Sequence, residues 1–141
     1  MLGLADADSA EHNSGSKNIV VTPISCALPG SVHMKYDGLD EVTVRPGTHA
    51  SRILGDRIRE RYFCNYEMSR EFVPRFEAAG LKVGAYGPQG EPRLVEMENH
   101  PFFIAMLFQP QLSSTPQRPH PLVMAFVRAA VSAQQKARAT A

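Results

Sequence analysis

An uninterrupted apolar run, Pro101–Phe108 (PFFIAMLF), constrains the fold of this chain more than any other feature. Its length suits a strand, and its lack of polar alternation is typical of a central strand that is covered on both faces. The run stops abruptly at Gln109, Pro110 and Gln111. Because α/β enzymes place functional groups beyond the ends of such strands, this point is a candidate site. Carboxamides cannot act as general acids or bases near neutral pH, so the candidate is not an ordinary catalytic pair.

Other patterns predict further strands and two amphipathic helices. Strands are predicted for NIVVTPISC (Asn18–Cys26), EVTVRPG (Glu41–Gly47, with a turn at Pro46-Gly47), ASRILG (Ala50–Gly55), RIRERYFCNY (Arg57–Tyr66), LKVGAYG (Leu81–Gly87) and RLVEME (Arg93–Glu98). A helix capped by Ser69 is predicted to end at Gly80, and a longer one begins near Leu122. Strands mixed with helices in this order predict an α/β layer fold. The 141 residues suffice for one domain and are too few for two.

The overall charge excludes some partners. Fifteen basic residues against fourteen acidic ones leave a formal charge of +1, which gives no electrostatic reason to expect nucleic acid or an anionic membrane as a partner. No apolar run approaches the roughly 18 residues that span a bilayer, and the first residues do not resemble a signal peptide. Cys26 and Cys64 lack metal-site spacing, as do the scattered histidines, so we expect free thiols, no metal, no cofactor and a cytoplasmic location.

The segment NHPFFIAMLFQPQLSSTPQRPHPLVMAFVRAA resembles the C-terminal end of the glutaminase domain of CTP synthase, a class I glutamine amidotransferase. In that family the strand ends in Phe-His-Pro-Glu, and His-Pro-Leu opens the last helix. LADADSAEHN is similar to the family's Ala-Asn-Ser-Thr-Glu segment, and RERYFCNY to its His-Arg-Tyr-Glu-Val-Asn strand. The likeness implies a class I glutamine amidotransferase-like fold, a flavodoxin-like mixed sheet flanked by helices, with residues 1–141 forming a single partial domain that is incomplete at its N-terminus.

The resemblance places Gln109 and Gln111 at the positions of the family's catalytic His and Glu. In the family a Cys thiolate attacks the side-chain amide of glutamine, the His moves protons and the Glu holds the imidazole. The nucleophile lies in a Gly-Cys-Leu-Gly elbow, which this sequence does not contain. The resemblance therefore implies that the catalytic triad is absent and that no residue of this chain is catalytic.

Two substrate-binding positions of the family are kept. Glu11 stands where the family carries a carboxylate that meets the α-ammonium of glutamine, and Arg61 stands where it carries the Arg that pairs with the α-carboxylate. A guanidinium binds a carboxylate through two parallel hydrogen bonds, which suits this role. Without the resemblance, a solvated loop acid and an exposed strand residue are the simpler interpretations of these residues.

Three functions stay open. The first is a catalytically inactive relative that binds a ligand such as glutamine or has a regulatory role. The second is the C-terminal fragment of a longer glutamine-hydrolysing protein with Cys or selenocysteine before Met1; LFQP resembles a stand-alone branch related to the CTP synthase C-terminal region, in which selenocysteine occurs. The third is an interaction domain that keeps only the fold. Because the family's first strands would precede Met1, we also expect a homo-oligomer or a partner that covers the exposed face.

Overall fold

The computed structural model describes residues 3–24 and 36–140, which form two sheets and three α-helices. The smaller sheet has the order β1–β2–β5, with β1 (Ala7–Ser9) parallel to β2 (Asn18–Pro23) and β5 (Tyr66–Met68) antiparallel to β2. The larger sheet is antiparallel and has the order β4–β3–β6–β7–β8. Its strands are β3 (Tyr36–Val44), β4 (Arg57–Cys64), β6 (Lys82–Tyr86), β7 (Pro92–Glu96) and β8 (Ile104–Met106).

The hairpin of β6 and β7 lies at the centre of the core. All five residues of β7 are buried. One face of the hairpin, with Ala85 and Leu94, packs on a cluster that includes Tyr62 and Phe108. Its other face carries Val83 and Val95, which pack on a second cluster under the helix α2 (Val73–Ala78). The adjacent Leu94 and Val95 of β7, and Val83 and Ala85 of β6, between which the register shifts, therefore serve two hydrophobic layers. The predicted α/β class is confirmed.

The predicted central strand at Pro101–Phe108 is wrong in its position. The observed strand β8 has three residues, lies at the edge of the described sheet and exposes Ala105. The apolar residues around it are buried for separate reasons. Phe103 precedes β8 and packs on the second cluster, whereas Phe108 follows it and meets the Tyr62 ring edge-on at 6.2 Å. The run is therefore continuously apolar because its two ends pack on different clusters, and not because it forms one buried strand.

The segment predicted as a strand over Ala50–Gly55 is a helix, α1 (His49–Leu54). Thr48 caps it by accepting a hydrogen bond from the Ser51 N–H at 3.0 Å. Gly55 ends it with a φ of 77°, a conformation that glycine adopts readily. The predicted strand at Asn18–Cys26 is confirmed as β2 up to Pro23, while Ser25 and Cys26 lie outside the described residues.

The two predicted helices are present with changed boundaries. The first begins as a 3₁₀ turn at Arg70–Phe72 and continues as α2, without a side-chain cap from Ser69. The second is α3 (Pro121–Ala139), capped by His120. Of the apolar face predicted for α3, only Leu122 is buried, and the side chains of Val123, Phe126, Val127 and Val131 are exposed. The helix therefore presents an uncovered apolar stripe, which we call the α3 stripe.

Candidate functional site

Gln109 connects the segment after β8 to strand β4. Its backbone N–H donates to the carbonyl of Arg61 at 2.9 Å, and its side-chain Nε2 donates to the carbonyl of Phe63 at 3.1 Å. Both acceptors belong to β4, so the segment after β8 is attached to β4 through two bonds from one residue. The carboxamide of Gln109 thus acts as a hydrogen-bond donor to the backbone, a role in which it moves no proton.

The alternation of β4 determines which side chains reach this site. Arg61 and Phe63 are exposed, whereas Glu60 and Tyr62 between and beside them are buried. Eight register pairs with β3 fix this alternation, including Leu39 opposite Arg61. The structure therefore brings Arg61 and Gln109 together at one strand end, with the Arg61 side chain on the outer face.

The structure places the other predicted residues separately. Glu11 lies in the exposed turn after β1, where its N–H donates to the Ser9 hydroxyl at 3.2 Å. Gln111 is exposed in a 3₁₀ turn that follows Gln109. Among the described contacts, none joins Glu11 to Arg61 or to Gln109. The assignment of Glu11 and Arg61 as a binding pair is therefore not tested and stays a prediction.

A buried acid–imidazole pair, which the sequence analysis did not identify, lies beside this strand end. The carboxylate oxygen Oε1 of Glu60 is 2.7 Å from His120 Nε2, and both residues are buried. The His120 Nδ1 accepts the Leu122 N–H at 3.2 Å and so caps α3. Because Nδ1 is an acceptor, the ring proton is on Nε2 and is donated to Glu60. Both ring nitrogens are engaged, so this pair is structural. The sequence could have indicated this pair, because Glu60 is an acid at an inward position of β4, between the apolar positions Ile58 and Tyr62.

A second buried charge cluster stabilises the central hairpin. Arg93 Nη2 donates to Glu91 Oε1 at 2.8 Å, and Arg93 Nη1 lies 3.8 Å from Glu67 Oε2. The guanidinium also lies over the Tyr62 ring, 4.9 Å from its centroid, in cation–π geometry. Burial raises the pKa of Tyr62 well above its usual range. These contacts join β4, β5 and β7 and offset part of the cost of burying the charges, although Arg93 Nε and Nη1 form no hydrogen bond within the described residues.

Other candidate chemistries find no support in the described segments. Across residues 3–24 and 36–140, no three His, Cys, Asp or Glu side chains are grouped so that they could hold a metal. Cys64 is a free thiol whose Sγ donates to the Tyr66 carbonyl at 3.2 Å, and Cys26 lies outside the described residues. No helix in this part of the chain is long and apolar enough to cross a membrane.

Known proteins resemble this chain in sequence and structure. No protein-family profile matches it. The CTP synthase of Flavobacterium johnsoniae is 36% identical over 143 aligned residues, which cover 96% of this chain and 26% of that protein. The glutaminase domain of Trypanosoma brucei CTP synthase, solved with bound acivicin, superposes with a TM-score of 0.86 at 27% identity, over 93% of this chain and 53% of the solved chain.

The fold is that of a class I glutamine amidotransferase-like domain, as the resemblance predicted. Within that class, the chain is a CTP synthase-like glutamine amidotransferase domain. It spans about a quarter of the length of the curated relative and about half of the solved chain that it matches.

Proposed function

We propose that this domain binds glutamine at the end of β8 and does not hydrolyse it. The observation that carries the proposal is the fixed amide of Gln109, whose Nε2 donates to the Phe63 carbonyl where the family's proton-transferring His would stand. The related trypanosome domain holds acivicin, a glutamine analogue, which supports glutamine as the ligand class. Without an imidazole at this position, the site lacks the general base that amide hydrolysis requires.

Arg61 and Glu11 are the proposed ligand contacts. Arg61 is exposed on β4 next to the backbone bond that Gln109 makes, so its guanidinium can meet an α-carboxylate at the strand end. Glu11 is an exposed acid that suits an α-ammonium. In this proposal no residue of the chain is catalytic, no metal or cofactor takes part, and residues 1–141 form one partial domain of the pyrimidine-biosynthesis type. The free Cys64 thiol supports a cytoplasmic location.

Replacing Arg61 by glutamine should weaken glutamine binding about tenfold or more, since a charge-assisted bond to the ligand carboxylate is lost. Isothermal titration of L-glutamine into the purified chain measures the affinity. Arg57→Gln is the matched control, because Arg57 is exposed on the same face of β4 and pairs with Glu41 at 3.1 Å, away from Gln109. We expect this control to bind like the unaltered chain. Equal losses in the two variants would contradict the role given to Arg61.

Two measurements distinguish the alternative functions. Ammonia release from glutamine, lost on Gln109→Ala or Gln111→Ala, would refute the non-catalytic proposal and favour a glutamine-hydrolysing protein. A titration without heat, unchanged by Arg61→Gln, would instead favour an interaction domain that keeps only the fold. A saturable heat with no ammonia is the result that we expect.

The α3 stripe supports a further part of the proposal, a homo-oligomer or a covering partner. Phe126 has 57% of its surface exposed, and Val127 and Val131 nearly half. Contiguous exposed apolar surface of this kind marks association sites or aggregation liabilities. An apolar cavity of about 330 Å³ continues the stripe between α3 and the segment at Phe102.

Phe126→Ser combined with Val131→Ser should reduce self-association of the purified chain. The substitutions replace exposed apolar side chains by polar ones, and Phe126→Ser also removes an edge-on ring contact of 5.7 Å with the half-buried Phe102. Sedimentation velocity over a concentration series measures the change. Arg128→Ser, on the same helix and also exposed, is the control. A chain that is monomeric without any substitution, with a sharp and reversible thermal transition, would contradict this association.

A further inference from the structure

A second cavity lies against β4 at Ile58, Arg59 and Glu60. It has a volume of about 330 Å³ and is bounded by β4 and by the loop that leads into α3. Its polar lining consists of Arg59, Glu60, Ser113, Arg118 and His120. Apolar side chains of α1, β4 and the loop complete the wall. This size falls within the range of small-molecule sites. Arg61 does not line the cavity, so it is distinct from the proposed glutamine site.

Two guanidinium groups at the cavity have no partner within the described ranges. The side chains of Arg59 and Arg118 form no hydrogen bond or ion pair with any residue among 3–24 and 36–140, although both line the same space. Arg57, another exposed arginine of β4, is by contrast paired with Glu41. Two unpaired guanidinium groups at one cavity create a positive potential that favours an anion.

The loop that carries Arg118 is held in place by its own hydrogen bonds. Thr115 and Arg118 exchange two backbone bonds, of 3.1 and 3.2 Å, and the Thr115 hydroxyl accepts the Arg118 N–H at 3.0 Å. Nearby, the Ser114 hydroxyl accepts the His120 N–H at 3.0 Å. The backbone of Arg118 is therefore positioned before any ligand arrives, which reduces the entropy that binding must overcome.

Glu60 supplies the complementary polar feature of the cavity. Its Oε1 accepts the bond from His120, whereas the one contact of its Oε2 among the described residues is a long one, 3.5 Å from the Ser113 hydroxyl. A buried carboxylate oxygen with one weak donor can accept a further hydrogen bond. A ligand that carries a donor group on an apolar body would satisfy Oε2 while its anionic group meets the two arginines.

We propose that this cavity binds a small organic anion, with its phosphate or carboxylate between Arg59 and Arg118 and a hydrogen-bond donor directed to Glu60. The arginines supply affinity through charge-assisted bonds, and the apolar wall selects an organic anion over a free inorganic one. The Glu60 carboxylate, already held by His120, distinguishes ligands with a donor from those without one.

Titration with three probes tests this proposal on the full chain. Inorganic phosphate, phenyl phosphate and 4-aminophenyl phosphate share the anion and add first an apolar ring and then a donor. We expect affinity to rise in that order. Arg118→Gln should weaken phenyl phosphate binding about tenfold. Arg59→Gln should do the same, whereas Arg128→Gln, which removes an exposed arginine from α3, should leave it unchanged.

Contrary outcomes are equally specific. The proposal fails if phenyl phosphate does not bind saturably to the unaltered chain, or if Arg128→Gln weakens binding as much as Arg118→Gln does. Thermal melts of each variant without probe verify that the fold is kept. Arg61→Gln separates this site from the glutamine site, because it should leave phenyl phosphate binding intact. A failed glutamine titration with successful phosphate binding would therefore refute only the proposed function.

Discussion

Replacing Glu96 by alanine should lower the free energy of unfolding by about 3 to 5 kcal/mol, the largest effect that we expect from a single side chain. Glu96 is fully buried, and its two carboxylate oxygens accept the N–H groups of His49 and Ala50 at 2.7 and 2.8 Å. These are donors of the first turn of α1, which have no partner within the helix. Alanine would leave both unsatisfied and would open a cavity beneath α1.

Urea unfolding followed by circular dichroism measures this loss. Glu98→Ala is the matched control, because Glu98 lies two residues further along the chain, with an exposed carboxylate that pairs with Lys82 at 2.6 Å. The bond from Lys82 holds the pKa of Glu98 below its usual range, but this carboxylate is solvated, and we expect little change in stability. The loss of stability for Glu96→Gln should lie between these two values, since glutamine has one acceptor oxygen for the two N–H groups that the carboxylate satisfies. Equal losses for Glu96→Ala and Glu98→Ala would refute the capping role of Glu96.

Gly87→Ala should lower the free energy of unfolding by about 3 kcal/mol or more, because it would break a buried ion pair. A Cβ on Gly87 would overlap the carboxylate of Glu91 and would lie 3.0 Å from Arg93 Nε. Glu91 cannot move aside freely, since it accepts bonds from Arg93 and from the N–H of Gln89, each at 2.8 Å. The new methyl group would therefore separate buried charges in the hairpin at the centre of the core.

The comparison for this substitution is Gly15→Ala. A Cβ on Gly15 would meet only Asn13 Oδ1, at an ordinary 3.6 Å. We therefore expect that variant to change the free energy of unfolding by less than about 1 kcal/mol, as a small stabilisation. The same urea titration compares the two variants. If Gly87→Ala unfolds at the same urea concentration as Gly15→Ala, the packing around Glu91 is looser than described and the argument for a rigid central hairpin fails.

The sequence predicted those elements whose signals are local. The alternation at Glu41–Gly47, the turn residues between β6 and β7 and the apolar spacing of α3 each define an element within a short window, and each element is present. The position of Gln109 after a strand was also predicted, whereas its bonds to the backbone of Arg61 and Phe63 were not. These features depend on neighbours along the chain, which the sequence displays directly.

The features that the sequence did not predict depend on distant partners. The helix α1 was predicted as a strand because its first turn is completed by Glu96, a residue 47 positions from His49. The pair of Glu60 and His120 joins residues 60 positions apart, so neither suggests the other in the sequence. The run around β8 was misplaced because Phe103 and Phe108 are buried by different clusters. In each case a tertiary contact overrode the local pattern.

The pairing of β4 with β3 restricts which mutations this domain can accept in evolution. Arg61, a residue of the proposed glutamine site, points outward, whereas its neighbour Glu60 points inward and lines the second cavity, so adjacent residues of one strand serve two proposed sites. A one-residue insertion or deletion in β4 would exchange the two orientations and damage both pockets at once. We therefore expect variation in this strand to be confined to substitutions at fixed length, which would link the two proposed sites in evolution.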